Sequence, residues 1–153
     1  MTSSEHLICF MDQLEAEKNA LHIFIETLKR EENALINGKM SEIDYLASNK
    51  SRLIEKMTEL DRKRNEFLKQ QGLSLEKIII NQWLDEQCLV LPEVKTLWHE
   101  LLDLAKTAQL LSYTNGLIIS NYLQHKQRTF AALHFAAGNV SLYGPNGQML
   151  IPI

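Results

Sequence analysis

Two leucine heptads separated by an Asn-Gly pair constrain the fold of this chain more than any other feature. Gly and Asn readily adopt the left-handed conformation that ends a helix, so Asn37 and Gly38 predict a break between two helices. A seven-residue apolar repeat is typical of helices that pack along a narrow seam. The first repeat is Leu7, Leu14, Leu21, Leu28 and Leu35, and the second is Leu46, Leu53, Leu60 and Phe67. The pattern predicts a first helix over residues 4–37 and a second over residues 42–71.

The short connection between these helices predicts that they lie side by side and antiparallel. At about 1.5 Å per residue, each helix would be roughly 45 to 50 Å long. Charged residues interrupt both seams, at Lys18 and Glu32 in the first and at Lys50 and Arg64 in the second. We interpret the seams as the inside of a hairpin within one chain. The alternative is a structural coiled-coil dimerisation module in which the first heptad pairs between two chains.

Serine residues follow both breaks and predict where the next helices begin. Ser41 and Asp44 resemble a capping box and would start the second helix. After Gly72, Ser74 would cap a short helix over residues 75–87. That short helix would help to cover the face that a two-helix hairpin leaves open.

A third long helix is predicted over residues 93–137. The residues before it, Leu89 to Pro92, read as an extended break, since Pro favours extended backbone in the preceding residue and suits the first turn of a helix. Asn115 and Gly116 usually form a turn, but the flanking apolar residues keep helical spacing. We therefore expect one continuous helix, bent at Gly116. Its apolar stripe begins with Val94, Leu97, Trp98, Leu101, Leu102, Ala105, Ala108 and Leu111.

The C-terminal part of the chain loses its charge. No Asp or Glu follows Asp103, and no charged side chain follows Arg128. Residues 139–153 are apolar except around a Pro-Asn-Gly turn that begins at Pro145. We expect a flexible apolar tail that docks on its own hairpin or on a partner, because an exposed tail of this kind would aggregate. The predicted fold is therefore all-α: a coiled-coil-like bundle of a long antiparallel hairpin and a third long helix, with a short helix and this tail.

Composition bounds the class of protein. With 153 residues, 6 Gly and 3 Pro, the chain suits one helical domain over residues 1–153. A net charge of -3 gives no basic face for nucleic acid. No apolar run approaches the roughly 20 residues of a membrane span, so we expect no stable membrane insertion. Residues 1–6 do not resemble a signal peptide, and Cys9 and Cys88 lack disulfide or zinc spacing, so we expect a cytoplasmic protein.

Catalytic signatures are missing from the sequence. It contains no phosphate-binding loop, nucleophile elbow or HExxH pattern. His6 and Cys9 are three residues apart but have no third ligand nearby, which makes a metal site a weak interpretation. His99 with Glu100 and the group of His125, Lys126 and Arg128 have no partner that would fix a catalytic role. We expect no catalytic residue, no metal and no cofactor.

These features together resemble the FlgN-type flagellar export chaperones. The more specific similarities are Asn115-Gly116-Leu117-Ile118, then Thr129, Ala132 and Leu133, and finally the run from Tyr143 to Gln148. The first half is similar at Leu28, Glu31, Glu32, Ala34, Leu35, Gly38, Leu46, Lys50, Leu53 and Leu60. Lys39 departs from the family, which more often has an acidic residue after the glycine.

The resemblance implies a function without catalysis or cofactors. Such a chaperone binds the C-terminal helices of hook-filament junction proteins, prevents their premature assembly or degradation, and delivers them to the cytoplasmic domain of the flagellar export gate. We expect a monomer or a weak homodimer that binds no nucleic acid. The uncharged C-terminal third would supply the partner-binding surface, since helix-in-groove recognition needs an apolar strip. The candidate residues are Asn115, Gly116, Leu117, Ile118, Tyr122, Leu123, Leu133, Tyr143, Gly144, Pro145 and Gly147.

Overall fold

The computed structural model describes residues 3–136, and all of its regular structure is helical. The four helices are α1 (Ser3–Ile36), α2 (Met40–Gln70), α3 (Lys77–Gln87) and α4 (Glu93–Ala136). The predicted all-α class is thereby confirmed, and α4 continues through Asn115 and Gly116. The tail over residues 139–153 lies outside the described residues.

Contacts within the chain divide it into two compact units, unit 1 over residues 1–112 and unit 2 over residues 113–153. Unit 1 contains α1, α2, α3 and the first part of α4. The described part of unit 2 is the remainder of α4, up to Ala136. The two units are described separately below.

Glycines end both long helices of the hairpin. Gly38 has a φ of 65° and Gly72 a φ of 76°, the left-handed region that a side chain disfavours. The backbone N–H of Lys39 donates to the carbonyl oxygen of Ala34 at 2.9 Å, and the N–H of Gly38 donates to the carbonyl oxygen of Leu35 at 3.4 Å. At the end of α2 the backbone N–H groups of Leu73 and Gly72 donate in the same way to the carbonyl oxygens of Leu68 and Lys69. Both ends are Schellman motifs, so their last carbonyl groups are satisfied.

Neither predicted serine cap forms. The second helix begins at Met40, which places Ser41 inside its first turn, and the preceding Lys39 makes no side-chain cap bond. The short helix begins only at Lys77, after Glu76. The Ser74 hydroxyl instead accepts a hydrogen bond from the Glu76 backbone N–H at 3.3 Å, which closes a turn before the helix.

The connection between α3 and α4 is a series of turns, so the prediction of an extended break was wrong. Backbone N–H groups of Leu89, Val90 and Leu91 donate to carbonyl oxygens of Glu86 and Gln87 over 2.9 to 3.3 Å. These bonds satisfy the last carbonyl groups of α3 and reverse the chain within a few residues. Pro92 disfavours helical backbone only in the residue directly before it, Leu91, so it does not extend Leu89 and Val90.

A cluster of aromatic rings from all four helices forms the larger core of unit 1. Phe10 of α1 stacks on Phe67 of α2 with ring centroids 4.8 Å apart, and it meets Trp83 of α3 edge-on at 5.4 Å. Its ring also lies 6.4 Å from Trp98 of α4. The buried residues of this cluster are Leu7, Phe10, Leu14, Leu68, Ile80, Leu84, Val94, Leu97, Trp98 and Leu101. Burial of the heptad residues Leu7 and Leu14 in this cluster leaves their side chains unavailable for a zipper between chains.

A second, smaller core continues the hairpin seam within unit 1. Phe24, Ile25 and Leu28 of α1 pack with Ala108 of α4, and Met57 of α2 packs against the same cluster. Phe10 lies against Trp98 of α4, and Phe24, further along α1, shares a cluster with Ala108, further along α4. Residue numbers therefore increase in the same direction on both helices, so this part of α4 runs parallel to α1.

Three of the four charged residues that interrupt the leucine seams, Lys18, Lys50 and Arg64, form ion pairs between helices. Lys50 contacts both carboxylate oxygens of Glu31 at 3.1 and 3.0 Å, and Arg64 contacts Glu17 at 2.5 Å. The two basic residues of α2 are 14 positions apart, as are the two glutamates of α1. One antiparallel register therefore satisfies both pairs. Lys18, an interruption of the first seam, pairs with Glu100 of α4 at 3.4 Å.

Candidate protein-binding surface

The candidate surface is residues 113–134, the part of α4 in unit 2 whose side chains are described, here called the exposed α4 segment. Seven of the sequence-predicted site residues lie on it, from Asn115 to Leu133. The other four, Tyr143, Gly144, Pro145 and Gly147, lie outside the described residues. The structure thus places the first group on one continuous helix.

Large apolar side chains remain open to solvent along this segment. Leu117 is 47% exposed, Tyr122 43%, Leu123 52% and Leu133 66%. Single exposed apolar residues are ordinary on protein surfaces, but several within a few helical turns make a candidate interaction surface.

Other predicted site residues are less accessible. Asn115 is 1% exposed, so its side chain offers no contact surface to a partner in this conformation. Ile118 is half-buried, and Gly116 is exposed with open space around its Cα. A partner that approaches the segment would therefore meet its leucines and tyrosines first.

Two exposed residues were missing from the sequence prediction. Tyr113 is exposed one helical turn before Leu117, and Ile119 lies three and four positions before Tyr122 and Leu123. Residues at these spacings are neighbours on a helix surface. Both belong to the charge-poor stretch that marked the C-terminal third, and that signal would have included them.

The electrostatics of the segment are simple. Between residues 113 and 134 the sequence contains no acidic residue and only two cations, Lys126 and Arg128. The ammonium group of Lys126 lies 5.2 Å from the centre of the Tyr122 ring, within the range of a cation–π contact. Phe130 and His134 meet edge-on with ring centroids 4.2 Å apart. The surface therefore offers apolar area with tyrosine hydroxyl tips and a weakly basic end.

The described residues contain neither a candidate metal site nor a candidate membrane-spanning helix. Within residues 3–136 no group of three or more His, Cys, Asp or Glu is placed to hold a metal ion. Over the same range, none of the helices has the length and apolar content of a membrane span. His6 and Cys9 are both exposed on α1 without a third ligand of this kind beside them.

This fold defines a class of small all-helical proteins with exposed apolar side chains on a long helix. The sequence model of the family described as FlgN protein matches residues 6–151, and the chain therefore belongs to the FlgN protein family. The role of this family is that of a flagellar export chaperone, and it is not known as a family of enzymes. No curated protein and no solved structure matches the chain.

Proposed function

We propose that this protein is a cytosolic export chaperone for hook-filament junction proteins. It binds their C-terminal helical segment, prevents premature assembly or degradation, and delivers them to the cytoplasmic domain of the flagellar type III export gate. Membership of the FlgN family supports the chaperone role. The observation that carries the proposal is the set of exposed apolar side chains on the exposed α4 segment.

Burial of these exposed side chains would supply the binding free energy. Complete burial of one leucine against a client helix is worth about 1.5 to 3 kcal/mol, and part of that gain offsets the loss of motional freedom on association. Leu117, Leu123 and Leu133 provide such area. Tyr122 is the proposed anchor, because tyrosine combines a large apolar ring with one hydrogen-bonding tip.

We assign the remaining sequence-predicted residues supporting roles in the same site. Asn115 and Ile118, which are buried and half-buried, support the helix that presents the exposed residues, and Gly116 leaves room for a client beside the helix backbone. Tyr143, Gly144, Pro145 and Gly147, which the sequence predicts as part of a turn, are proposed to contact the client as well. Deletion of the residues after Gly138 should therefore weaken client binding while the circular dichroism of the helices is retained; equal affinity would remove this turn from the site.

Direct binding tests the proposal. The purified chain is mixed with the C-terminal region of a hook-filament junction protein, and the mass of the mixture is measured by light scattering. We expect a stable complex at micromolar concentration. The absence of a complex at that concentration would refute the chaperone assignment for this client.

A pair of matched substitutions locates the binding surface. Leu123→Glu places a charge in the exposed α4 segment and should weaken client binding at least tenfold, since burying an unpaired carboxylate costs more than about 1.4 kcal/mol. Leu89→Glu makes the same change in unit 1, where the side chain is 89% exposed, and should leave the affinity unchanged. Equal losses in both variants would place the client elsewhere.

A further inference from the structure

A groove in unit 1 is separate from the proposed client-binding segment. Its volume is about 770 Å³, and it is lined by side chains of α1, α2, α3 and the first part of α4. The apolar wall includes Phe24, Met57, Ile80, Trp98 and Leu101. Every lining residue lies at or before Ser112, so the groove shares none with the exposed α4 segment. We call it the unit-1 groove.

Three of the charges that line the unit-1 groove are already paired with one another. Arg64 contacts the Glu17 carboxylate at 2.5 Å and also donates to Asp61. Its guanidinium lies 5.7 Å from the centre of the Trp98 ring. Because the one cation serves both acids, this group offers an incoming partner no free acidic side chain.

Two further charges on the lining are free cations. Lys77 at the start of α3 and Lys106 on α4 both line the groove and are exposed. Neither forms an ion pair within the described part of the chain, whereas the exposed Lys95 pairs with Asp85. The groove thus combines an apolar wall with two unpaired positive charges.

We propose that the unit-1 groove binds an amphipathic helix of a second partner protein, one with acidic residues beside its apolar stripe. An apolar groove accepts the i, i+3 and i+4 side chains of such a helix. Acidic flanks would meet Lys77 and Lys106, and this complementarity selects among apolar helices. The inference goes beyond client binding and does not depend on it: the chaperone would hold its client and this second partner on different residues.

Two synthetic peptides test the charge selection. Both have the same apolar stripe over about five helical turns, roughly 18 residues. One carries glutamates beside the stripe and the other carries lysines. Binding to the full chain is followed by the anisotropy of a dye on the peptide and by the change in tryptophan fluorescence, since Trp98 lies on the groove wall and Trp83 does not line it. The glutamate peptide should bind about tenfold more tightly at low salt, and this preference should shrink at about 0.5 M NaCl.

Charge reversal with a matched control identifies the groove. The double variant Lys77→Glu, Lys106→Glu should reverse the preference of the two peptides. The control is Lys63→Glu, Lys69→Glu, which changes the net charge equally at exposed positions of α2 outside the groove. It should retain the original preference, and circular dichroism should report the same helicity for both variants.

Several outcomes would overturn the inference. They are no binding of either peptide, equal binding of both, or a preference that Lys77→Glu, Lys106→Glu leaves unchanged. Removal of residues 139–153 that raised the affinity of both peptides equally would assign the groove to the chain's own uncharged tail. A dimer that dissociated in the groove variant would assign it to a second copy of the chain. The Leu123→Glu variant separates the two proposals, since it should lose client binding and keep peptide binding.

Discussion

Replacement of Glu17 by glutamine should stabilise this protein at alkaline pH and not at acidic pH. The Glu17 side chain is buried between α1 and α2, and one of its carboxylate oxygens, Oε2, has no hydrogen-bond partner among the described residues. Burial therefore raises the pKa of Glu17 from 4.5 to about 7, with Arg64 opposing and Asp61 reinforcing the increase. The neutral form is the one that the folded protein favours.

The sign and size of the effect follow from this raised pKa. Between pH 4.5 and 7 the folded state binds more protons than the unfolded state, so the free energy of unfolding falls as the pH rises. A pKa difference of about 2.5, at about 1.4 kcal/mol for each unit, gives a loss of about 3 kcal/mol across this range. Glutamine resembles the protonated acid and does not titrate. Glu17→Gln should therefore match the parent near pH 4.5 and exceed its stability by about 3 kcal/mol near pH 8.

Urea unfolding at several pH values, followed by circular dichroism, measures this difference. Glu31→Gln is the matched control, because Lys50 contacts both carboxylate oxygens of this buried residue. That variant should be about 1 to 3 kcal/mol less stable than the parent near pH 8, since it removes the charged hydrogen bonds that the Lys50 ammonium group donates to both Glu31 oxygens. A Glu17→Gln variant less stable than the parent near pH 8 would refute the reasoning. It would mean that the attraction of Arg64 exceeds the cost of burying the charge.

Three further substitutions and one control test the core packing, one helix end and the interior of α4 by the same urea unfolding. Phe10→Ala removes the ring that joins all four helices and should cost about 3 to 5 kcal/mol, whereas Ile8→Ala, at an exposed position of the same helix, should change stability by less than about 0.5 kcal/mol. Gly38→Ala should cost about 1 kcal/mol because its φ of 65° strains any side chain. Gly116→Ala should instead strengthen α4 by about 0.5 to 1 kcal/mol, since its backbone is helical and an added Cβ meets no atom within 4 Å; a loss of helicity in this variant would contradict the prediction.

The helices were predictable from sequence because their signals are local and repeated. The heptad leucines fix the apolar face, and the glycines at the two helix ends are read from backbone sterics alone. The residue that caps a helix is harder to predict, because it depends on where the preceding turn ends. After the Schellman turn at Gly38, the chain re-enters a helix so soon that Ser41 falls inside its first turn, and the N–H of Ile43 bonds to the Lys39 carbonyl oxygen at 3.0 Å. The serine therefore has no cap position to occupy.

The pairing of the seam charges could not be predicted from either helix alone. Lys50 and Arg64 read as defects in a leucine repeat, and their partners depend on the register that the loop around Gly38 imposes. The unit-1 groove was missed for the same reason. Its lining comes from four separate helices, so no single stretch of sequence shows it.

The distribution of charge separates the two kinds of helix contact in this protein. Ion pairs such as Lys50 with Glu31 select one register, because any slip along the hairpin would leave buried charges unpaired. A surface that accepts a helix from another protein gains nothing from such a fixed pairing if it must first bind and later release that helix. Under the proposed function, the absence of acidic residues after Asp103 therefore suits the client site, since a mainly apolar surface without carboxylates can release its client without leaving a buried acid unpaired. The free lysines of the unit-1 groove follow the opposite rule, because they select one partner by its charge.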